Sequence, residues 1–154
     1  MAAGGGHLRE ARVDEVPALE DILREASMIW PEHRDDLLAH PEAVEVPRRD
    51  VRAGRVRVHE VDDLVTGFAT VLTLPDGDAE LDALFVRPAL MRRGIGARLV
   101  EDAARRARDG GAARLVVTAD PHAEAFYARC GFRTVGTAPT RFGPAIRMHR
   151  ELPP

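Results

Sequence analysis

The first part of the chain carries apolar residues every three or four positions, which is the spacing of an amphipathic helix. This repeat runs from Val16 to Trp30, and Pro31 is predicted to end it because proline cannot continue a helix. Asp14 stands before the repeat, where a short acidic side chain can accept hydrogen bonds from the first helical N–H groups. We therefore predict a helix that Asp14 caps and that buries one apolar face.

Around this helix the pattern is less regular and then changes to alternation. A short strand is predicted at Leu8–Val13 and a second short helix at Asp35–His40, whereas Glu42–Asp50 has no clear period. Arg55–Val61 alternates charged and apolar residues, which predicts a strand with one solvent-facing side. Leu64–Leu74 is apolar and β-branched, as in a central strand. The first half should therefore contain an antiparallel meander.

The second half of the chain alternates strands with helices. A strand, a 15-residue helix and another strand imply a parallel crossover. Together with the meander, this predicts an α/β (α+β) fold, with a mixed, mostly antiparallel sheet, a central parallel pair and helices on both faces. The predicted strands are Glu80–Val86, Arg114–Ala119, Phe132–Val135 and Ala145–Leu152, and the predicted helices are Gly94–Arg108 and Asp120–Cys130.

Length and composition limit the classes of protein to consider. The chain has 154 residues, of which 45% are hydrophobic and 31% charged, as in one ordinary globular domain. Residues 1–7 are expected to be a flexible tail and residues 8–154 a single domain. All 22 basic residues are arginine, and lysine, asparagine and glutamine are absent. A Walker P-loop, a Schiff-base lysine and a papain-type triad are therefore excluded.

Charge and cysteine usage narrow the partners and the compartment. The formal charge of −3 and the pI near 6.1 disfavour a strongly basic nucleic-acid binder. Cys130 is the single cysteine, so an intrachain disulfide and a thiolate zinc cluster are excluded, and no metal is expected. This usage fits a reducing cytoplasm. No apolar run approaches the ~20 residues that span a bilayer, so a membrane partner is not expected.

Leu84–Leu99 is the most informative stretch, because a strand there leads through a loop into a helix with two glycines, Gly94 and Gly96, at its start. The first N–H groups of a helix have no internal partner and lie at the positive end of its dipole. Glycines let a bulky anion approach these groups. The alternative is that the glycines only permit close packing of the helix on the sheet. Three arginines favour an anion such as a pyrophosphate: Arg92, Arg93 and Arg98.

One candidate anion is a dinucleotide. That class of fold requires Gly-x-Gly-x-x-Gly and an acidic residue about 20 positions further on. Leu99 occupies the position of the third glycine, and Asp120 lies near the place of the acid. Asp120 precedes Pro121 and is better explained as a helix cap. A dinucleotide-binding oxidoreductase therefore remains the alternative of a different class.

The other candidate anion is coenzyme A. Leu84–Leu99 resembles the central acetyl-CoA-binding motif of the GNAT N-acetyltransferases, in which Gln/Arg-x-x-Gly-x-Gly/Ala follows a strand and opens a long helix. Phe126–Phe132 resembles the second signature of that family, Phe/Leu-Tyr-x-x-x-Gly-Phe at a helix end. The motifs occur in the family order, and the likeness extends over nearly the whole chain. It implies an acetyl-CoA-dependent N-acetyltransferase domain over residues 8–154.

Two positions depart from the family pattern. Met91 stands where the motif has Gln or Arg, so a side-chain contact to the phosphates would be lost unless Arg92 or Arg93 replaces it. Asp120 stands where relatives often carry Asn, which leaves the capping role unaffected. The departure at Met91 keeps open a non-catalytic acyl-CoA sensor on the same fold.

The resemblance also implies roles for individual residues. Tyr127, the only tyrosine, would be the general acid that protonates the departing thiolate, with a buried core aromatic as the alternative. Glu80 would be the general base, alone or with Asp82, which lies on the same strand face; the alternative is a pair of solvated carboxylates, or acids that only attract a cationic acceptor. The main chain of Leu84–Val86 would pair with the pantetheine arm. The expected coenzyme contacts are Leu84, Phe85, Val86, Arg92, Arg93, Gly94, Ile95, Gly96, Ala97, Arg98 and Phe126.

The acceptor side is less defined by the sequence. In the family it is built from the first helices and the last strand pair, here Ser27–Pro47 and Pro139–Pro144. A small-molecule or peptide amine is expected to bind there. Dimers are common in the family, so Arg55–Val61 or the last strand is a candidate edge for a homodimer. The candidate acceptor contacts are Trp30, His33, Asp35, Asp36 and Arg141.

Overall fold

The computed structural model describes residues 5–141 and 143–154. Seven strands form one sheet in the order β1-β2-β3-β4-β5-β7-β6. These are β1 (His7–Glu10), β2 (Val56–Val61), β3 (Leu64–Thr73), β4 (Ala79–Val86), β5 (Arg114–Ala119), β6 (Arg133–Thr140) and β7 (Gly143–Glu151). The helices are α1 (Val16–Ser27), α2 (Pro31–Ala39), α3 (Arg48–Arg52), α4 (Ile95–Asp109) and α5 (Glu124–Arg129).

The predicted mixed sheet is confirmed. Strands β4 and β5 run parallel, with Ala79 opposite Leu115 and Glu80 opposite Val116. The pairs β1–β2, β2–β3, β5–β7 and β6–β7 are antiparallel. The meander is therefore found on one side of the parallel pair and a returning hairpin on the other.

The chain divides into two compact units. The first comprises residues 1–70 and 83–99, and the second comprises residues 71–82 and 100–154. The first has a core in which Leu19 and Ile22 of α1 pack with Phe68 and the valines of β2. In the second, Leu115 and Met148 are among the largest fully buried side chains. Both β4 and α4 run through both units without a break, and the single domain over residues 8–154 stays a prediction.

The start of the chain differs from the predicted tail and strand. Residues 1–4 lie outside the described part of the chain, but His7 already belongs to β1, opposite Glu60 of β2. The strand predicted at Leu8–Val13 therefore begins earlier and ends at Glu10. The chain leaves the strand because Val13–Glu15 forms a 3₁₀ turn.

The predicted cap and end of the first helix were wrong. Glu15, not Asp14, occupies the capping position, and its side chain caps no N–H of the helix. Its carboxylate instead accepts the backbone N–H of Arg12 at 2.8 Å, at the start of the preceding 3₁₀ turn. The helix ends at Ser27. Pro31 begins α2 rather than ending the first helix, because the missing N–H of proline costs nothing in the first turn.

In three further segments the observed elements differ from the predicted ones. The segment predicted without regular structure contains a 3₁₀ turn at Pro41–Val44 and the short helix α3. After Asp120, a 3₁₀ turn at Pro121–Ala123 precedes α5, so the predicted helix is shorter. Strand β6 extends to Thr140, well beyond the predicted end, because it pairs with β7 along its length.

Both strands suggested as dimer edges are internal. β2 lies between β1 and β3, and β7 lies between β5 and β6, so the edges of the sheet are β1 and β6. The solvent-facing side predicted for β2 is also wrong at its centre, because His59 is fully buried. Buried histidines need hydrogen-bond partners, and His59 has them in Thr66 and Arg98.

Candidate active site

The loop between β4 and α4 presents backbone amides at the start of a long helix. A 3₁₀ turn at Pro88–Leu90 is followed by Arg92 and Gly94, whose φ angles of 65° and 83° are both left-handed. The first helical hydrogen bond runs from Arg98 N–H to Gly94 O at 3.1 Å. The N–H groups of residues 94–97 therefore have no partner inside the helix. A non-glycine residue at positive φ, as at Arg92, marks strain of the kind found at functional sites.

The surroundings of Gly94 fit an anion. A Cβ built on Gly94 would meet no heavy atom within 4 Å, so side chains do not close the loop at this point. Arg92 and Arg93 are exposed, and neither forms a hydrogen bond or ion pair with the residues that the structure describes. Two guanidinium groups and the amides at a helix start are the donor set that phosphate oxygens require.

Arg98 differs from the other two arginines. Its side chain is half-buried, and Nη1 lies 3.0 Å from Nε2 of His59 while Nη2 donates to the carbonyl of Gly6 at 3.2 Å. Grouping the three arginines by sequence position therefore missed a difference. The guanidinium of Arg98 is engaged with β1 and β2, whereas those of Arg92 and Arg93 face solvent.

Other residues predicted for coenzyme contact lie on β4 and at the start of α4, on either side of the loop. Phe85 is half-buried and its ring lies 5.8 Å from that of Phe68. Met91 is 37% exposed, so the departure from the family motif lies at the surface. Leu84 and Gly96 are half-buried, Val86 and Ile95 are buried, and Ala97 is exposed. Their contacts with a coenzyme stay predictions.

In the second unit, two acidic side chains lie on one face of β4. Glu80 is half-buried and Asp82 is exposed two residues further on. Burial is the main cause that raises the pKa of Glu80 above its usual value, and the like charge of Asp82 raises it further. A carboxyl group of this kind can accept a proton closer to neutral pH than a solvated one.

Arg147 is a charged neighbour of Glu80 that the sequence reasoning missed. It lies on β7 opposite Thr118 of β5, and its Nη1 donates to the hydroxyl of Thr118 at 2.6 Å. Its positive charge lowers the pKa of Glu80 and so opposes the effects of burial and Asp82. Residues 80 and 147 are far apart in the sequence, and the order of the strands in the sheet brings the charge of one to act on the other. No local pattern in the sequence indicates that order.

Tyr127 has a buried ring, and its hydroxyl has no hydrogen-bond partner among the described residues. The residue is 6% exposed, and its ring packs edge-on against Phe126 and Phe132, at centroid distances of 5.1 and 5.4 Å. The hydroxyl forms no hydrogen bond with the described residues. Burial raises the pKa of Tyr127 well above its usual value, so the group stays protonated.

The structure does not support a catalytic role for Cys130, and it explains Asp120 as a helix cap. Cys130 is half-buried, and burial followed by the charge of Glu101 raises the pKa of its thiol. Such a thiol is a poor nucleophile. The predicted cap at Asp120 is confirmed, because its carboxylate accepts the backbone N–H of His122 at 2.9 Å. His122 itself is exposed at the surface.

The acceptor candidates fall in both units. Trp30 precedes the first residue of α2, and His33 lies in its first turns; both are half-buried. Asp35 is exposed and Asp36 half-buried on the same helix. Arg141 is exposed in the turn between β6 and β7. Phe142, within the predicted acceptor segment 139–144, lies outside the described residues.

The described residues contain neither a membrane-spanning helix nor a metal-binding cluster. Within residues 5–141 and 143–154, no helix has the length and apolar character that crossing a membrane requires. In the same ranges, no three His, Cys, Asp or Glu side chains gather in a way that could hold a metal ion.

Comparison with known proteins shows the family to which the chain belongs. The model of the acetyltransferase (GNAT) family matches residues 16–132, which is more than half of the chain. The chain therefore belongs to the GNAT acetyltransferase family.

Individual relatives agree with this assignment. Uncharacterized N-acetyltransferases of Mycobacterium tuberculosis and Mycobacterium bovis are 33% identical over 100 residues, a match that covers 63% of this chain and 61% of theirs. The PaiA N-acetyltransferase of Thermoplasma acidophilum, solved with coenzyme A, superposes with a TM-score of 0.79 at 16% identity, covering 95% of this chain and 98% of that one. An aminoglycoside 6′-N-acetyltransferase, also with coenzyme A, gives 0.73 at 19% identity, with coverages of 96% and 98%.

Proposed function

We propose that this protein is an acetyl-CoA-dependent N-acetyltransferase that transfers an acyl group to a primary amine by direct attack. The observation that carries the proposal is the start of α4, where Gly94 has a φ of 83° and open space at its Cβ position. Family membership gives acetyl transfer, and two relatives of the same fold were solved with coenzyme A. The amine acceptor is our inference from the names of the relatives.

The residues of the first unit fit a coenzyme A pyrophosphate. The amides of residues 94–97 would donate to its oxygens, and Arg92 and Arg93 would neutralise its charge. The main chain of Leu84–Val86 would pair with the pantetheine arm. When bound, acetyl-CoA supplies a thioester whose carbonyl carbon the amine attacks.

Tyr127 is the group we propose as general acid. A phenol that stays protonated at neutral pH can donate its proton as charge develops on the departing sulfur. The absence of a hydrogen-bond partner among the described residues supports this role over that of a core aromatic, because a structural tyrosine usually satisfies its hydroxyl.

Glu80 is the group we propose as general base. An amine reaches the site mostly protonated, and it must lose a proton before it can attack. The raised pKa of Glu80 makes this carboxylate a stronger base than a solvated one. The negative charge of Asp82 raises the pKa of Glu80 further, and the positive charge of Arg147 opposes that effect.

The acceptor is proposed as a small-molecule or peptide amine that contacts Trp30, His33 and Arg141. An aminoglycoside 6′-N-acetyltransferase among the relatives of this fold acts on a small amine. We propose the cytoplasm as the compartment, without nucleic acid as a partner. The compartment and the absence of nucleic acid rest on cysteine usage and net charge in the sequence.

Ligand binding separates this proposal from a dinucleotide-binding oxidoreductase. A ligand that binds the folded state raises the melting temperature by mass action, so acetyl-CoA should raise it and NAD should not. Asp120, the acid a dinucleotide would need, already accepts the N–H of His122. A shift with NAD alone would overturn the proposal.

A thiol-release assay separates the enzyme from a non-catalytic acyl-CoA sensor. The protein is mixed with acetyl-CoA and a panel of amines that includes amino acids, polyamines, aminoglycosides and peptide N-termini. Release of free coenzyme A with one of these amines supports the enzyme. Binding of acetyl-CoA without release for any member of the panel favours the sensor.

A further inference from the structure

A buried polar chain connects the first turn of α4 to the first two strands. Nη1 of Arg98 lies 3.0 Å from Nε2 of His59, and Nη2 donates to the carbonyl of Gly6 at 3.2 Å. On the far side of the ring, Nδ1 of His59 lies 2.6 Å from the hydroxyl of Thr66. His59 is 0% exposed and Thr66 is 2% exposed, so the contact between them is shielded from water, whereas Arg98 and Gly6 are half-buried.

The hydrogen-bond directions define the protonation state of His59. The Thr66 hydroxyl donates its hydrogen to the carbonyl of His59 at 3.1 Å, so it must accept from Nδ1. Nδ1 therefore carries the proton, and Nε2 is the lone-pair acceptor that receives Arg98. Burial, followed by the charges of Arg98 and His7, lowers the pKa of His59 and favours this neutral form.

Gly6 is fitted to the same arrangement. A Cβ on Gly6 would lie 2.5 Å from Nε2 of His59 and 2.8 Å from the carbonyl oxygen of Glu60, which no real side chain tolerates. The absence of a side chain at this position leaves room for the histidine ring, while the carbonyl of Gly6 binds the guanidinium of Arg98. A residue that composition placed in a flexible tail thus belongs to the buried chain.

We propose that Gly6, His59 and Arg98 are positioning residues that hold the first turn of α4 in the orientation needed to bind the coenzyme A pyrophosphate. The inference rests on the proposed function, because it assigns these residues an effect on coenzyme affinity. Arg98 follows directly after the amides of residues 95–97, so its side chain fixes the turn that carries them. Its guanidinium contacts His59 and Gly6.

Substitutions at His59 test the proposal through coenzyme A affinity, measured by calorimetry on the full chain. His59→Leu removes the acceptor that faces Nη1 of Arg98, so the turn must loosen to let this half-buried nitrogen reach water. We expect coenzyme A to bind about tenfold more weakly, equivalent to about 1.4 kcal/mol. His59→Gln supplies an amide oxygen as acceptor and should restore affinity to within about threefold.

A second variant and a matched control keep the test decisive. Arg98→Met removes the donor from a half-buried position and supplies the test if His59→Leu does not fold. Val58→Ala truncates the neighbouring buried residue of β2, which is also 0% exposed. It should lower the melting temperature but leave coenzyme A affinity within about threefold of the wild type, because the chain from Gly6 to Arg98 stays intact.

The outcomes separate the inference from the proposed function. If the wild type binds coenzyme A and the His59→Leu and Arg98→Met proteins bind it equally well, the positioning role is refuted and the proposed function stands. Equal weakening by Val58→Ala and His59→Leu would also refute it, because general destabilisation would then explain both. If the wild type does not bind coenzyme A, the proposed function itself fails.

Discussion

The loop before α4 offers backbone amides to an anion, whereas Glu80 and Tyr127 would act through side chains whose proton affinity depends on their surroundings. In the loop, glycine conformation and helix polarity create the donors, and two solvent-facing arginines add charge. At Glu80 and Tyr127, burial raises both pKa values. Residue type and spacing are enough to define the first kind of site, and tertiary packing is needed to define the second.

This difference predicts that substitutions in the two regions change different kinetic quantities. Changes in the loop should alter coenzyme affinity, and changes at Glu80 or Tyr127 should alter turnover. A variant that moved both quantities equally would contradict the division between the regions.

The largest effect is expected for Tyr127→Phe. Loss of the proton donor should lower kcat by about 10³, while the dissociation constant of coenzyme A stays within about threefold because no loop contact changes. Phe132→Leu is the matched control, since it loosens the ring packing of Tyr127 but keeps the hydroxyl. An unchanged kcat in Tyr127→Phe would remove Tyr127 from the mechanism.

A smaller effect, on the order of 10² in kcat/KM, is expected for Glu80→Gln. Because the base must be ionised, activity should fall as the pH drops through the pKa of Glu80, which burial holds above the usual carboxyl value. Asp82→Asn removes a like charge and should move this acidic limb to lower pH, whereas Arg147→Met should move it to higher pH. If the acidic limb lies at the same pH in the wild type, Asp82→Asn and Arg147→Met, Glu80 is excluded as the titrating group.

The double variant Arg92→Met with Arg93→Met should weaken coenzyme A binding about tenfold at low salt and less at high salt, because exposed charges are screened. Arg48→Met with Arg49→Met is the control. It removes two exposed neighbouring arginines from α3 and makes the same change in net charge. Similar losses in both double variants would mean that overall charge, and not the loop, attracts the coenzyme.

Local signals explain the parts of the fold that the sequence predicted. Strand β5 was predicted with its observed bounds, and α4 to within one residue, because short apolar runs and glycine pairs act over a few positions. Pro31 was misinterpreted, since proline ends one helix and begins another equally well. The start of β1 at His7 could not be predicted, because it depends on pairing with β2.

The same limit applies to the site. The position of Gly94 at the start of a helix was predicted, because a glycine just before a helical repeat can be recognised in the sequence. The partner of Arg98 was not, because His59 lies 39 residues away and its burial contradicts the charged alternation of its strand. Arg147 was not predicted for the same reason, because its charge acts on Glu80 only through the order of the strands in the sheet.

Two glycines with similar backbone angles allow the most direct test of the coenzyme loop. Gly94 and Gly77 have φ angles of 83° and 91°, and a Cβ on either would meet no heavy atom within 4 Å. Substitution by alanine should lower the free energy of unfolding by a similar amount at each position, about 1 kcal/mol, because of backbone strain. The two variants thus share a positive φ and open space at the Cβ position, and they differ in location.

The measurement is the dissociation constant of coenzyme A for Gly94→Ala and for Gly77→Ala, determined by calorimetry at one temperature. Our account predicts that the methyl group at residue 94 occupies the space of the pyrophosphate and weakens binding by about tenfold or more, while Gly77→Ala binds like the wild type. Wild-type affinity in Gly94→Ala, or an equal loss in both variants, would contradict it.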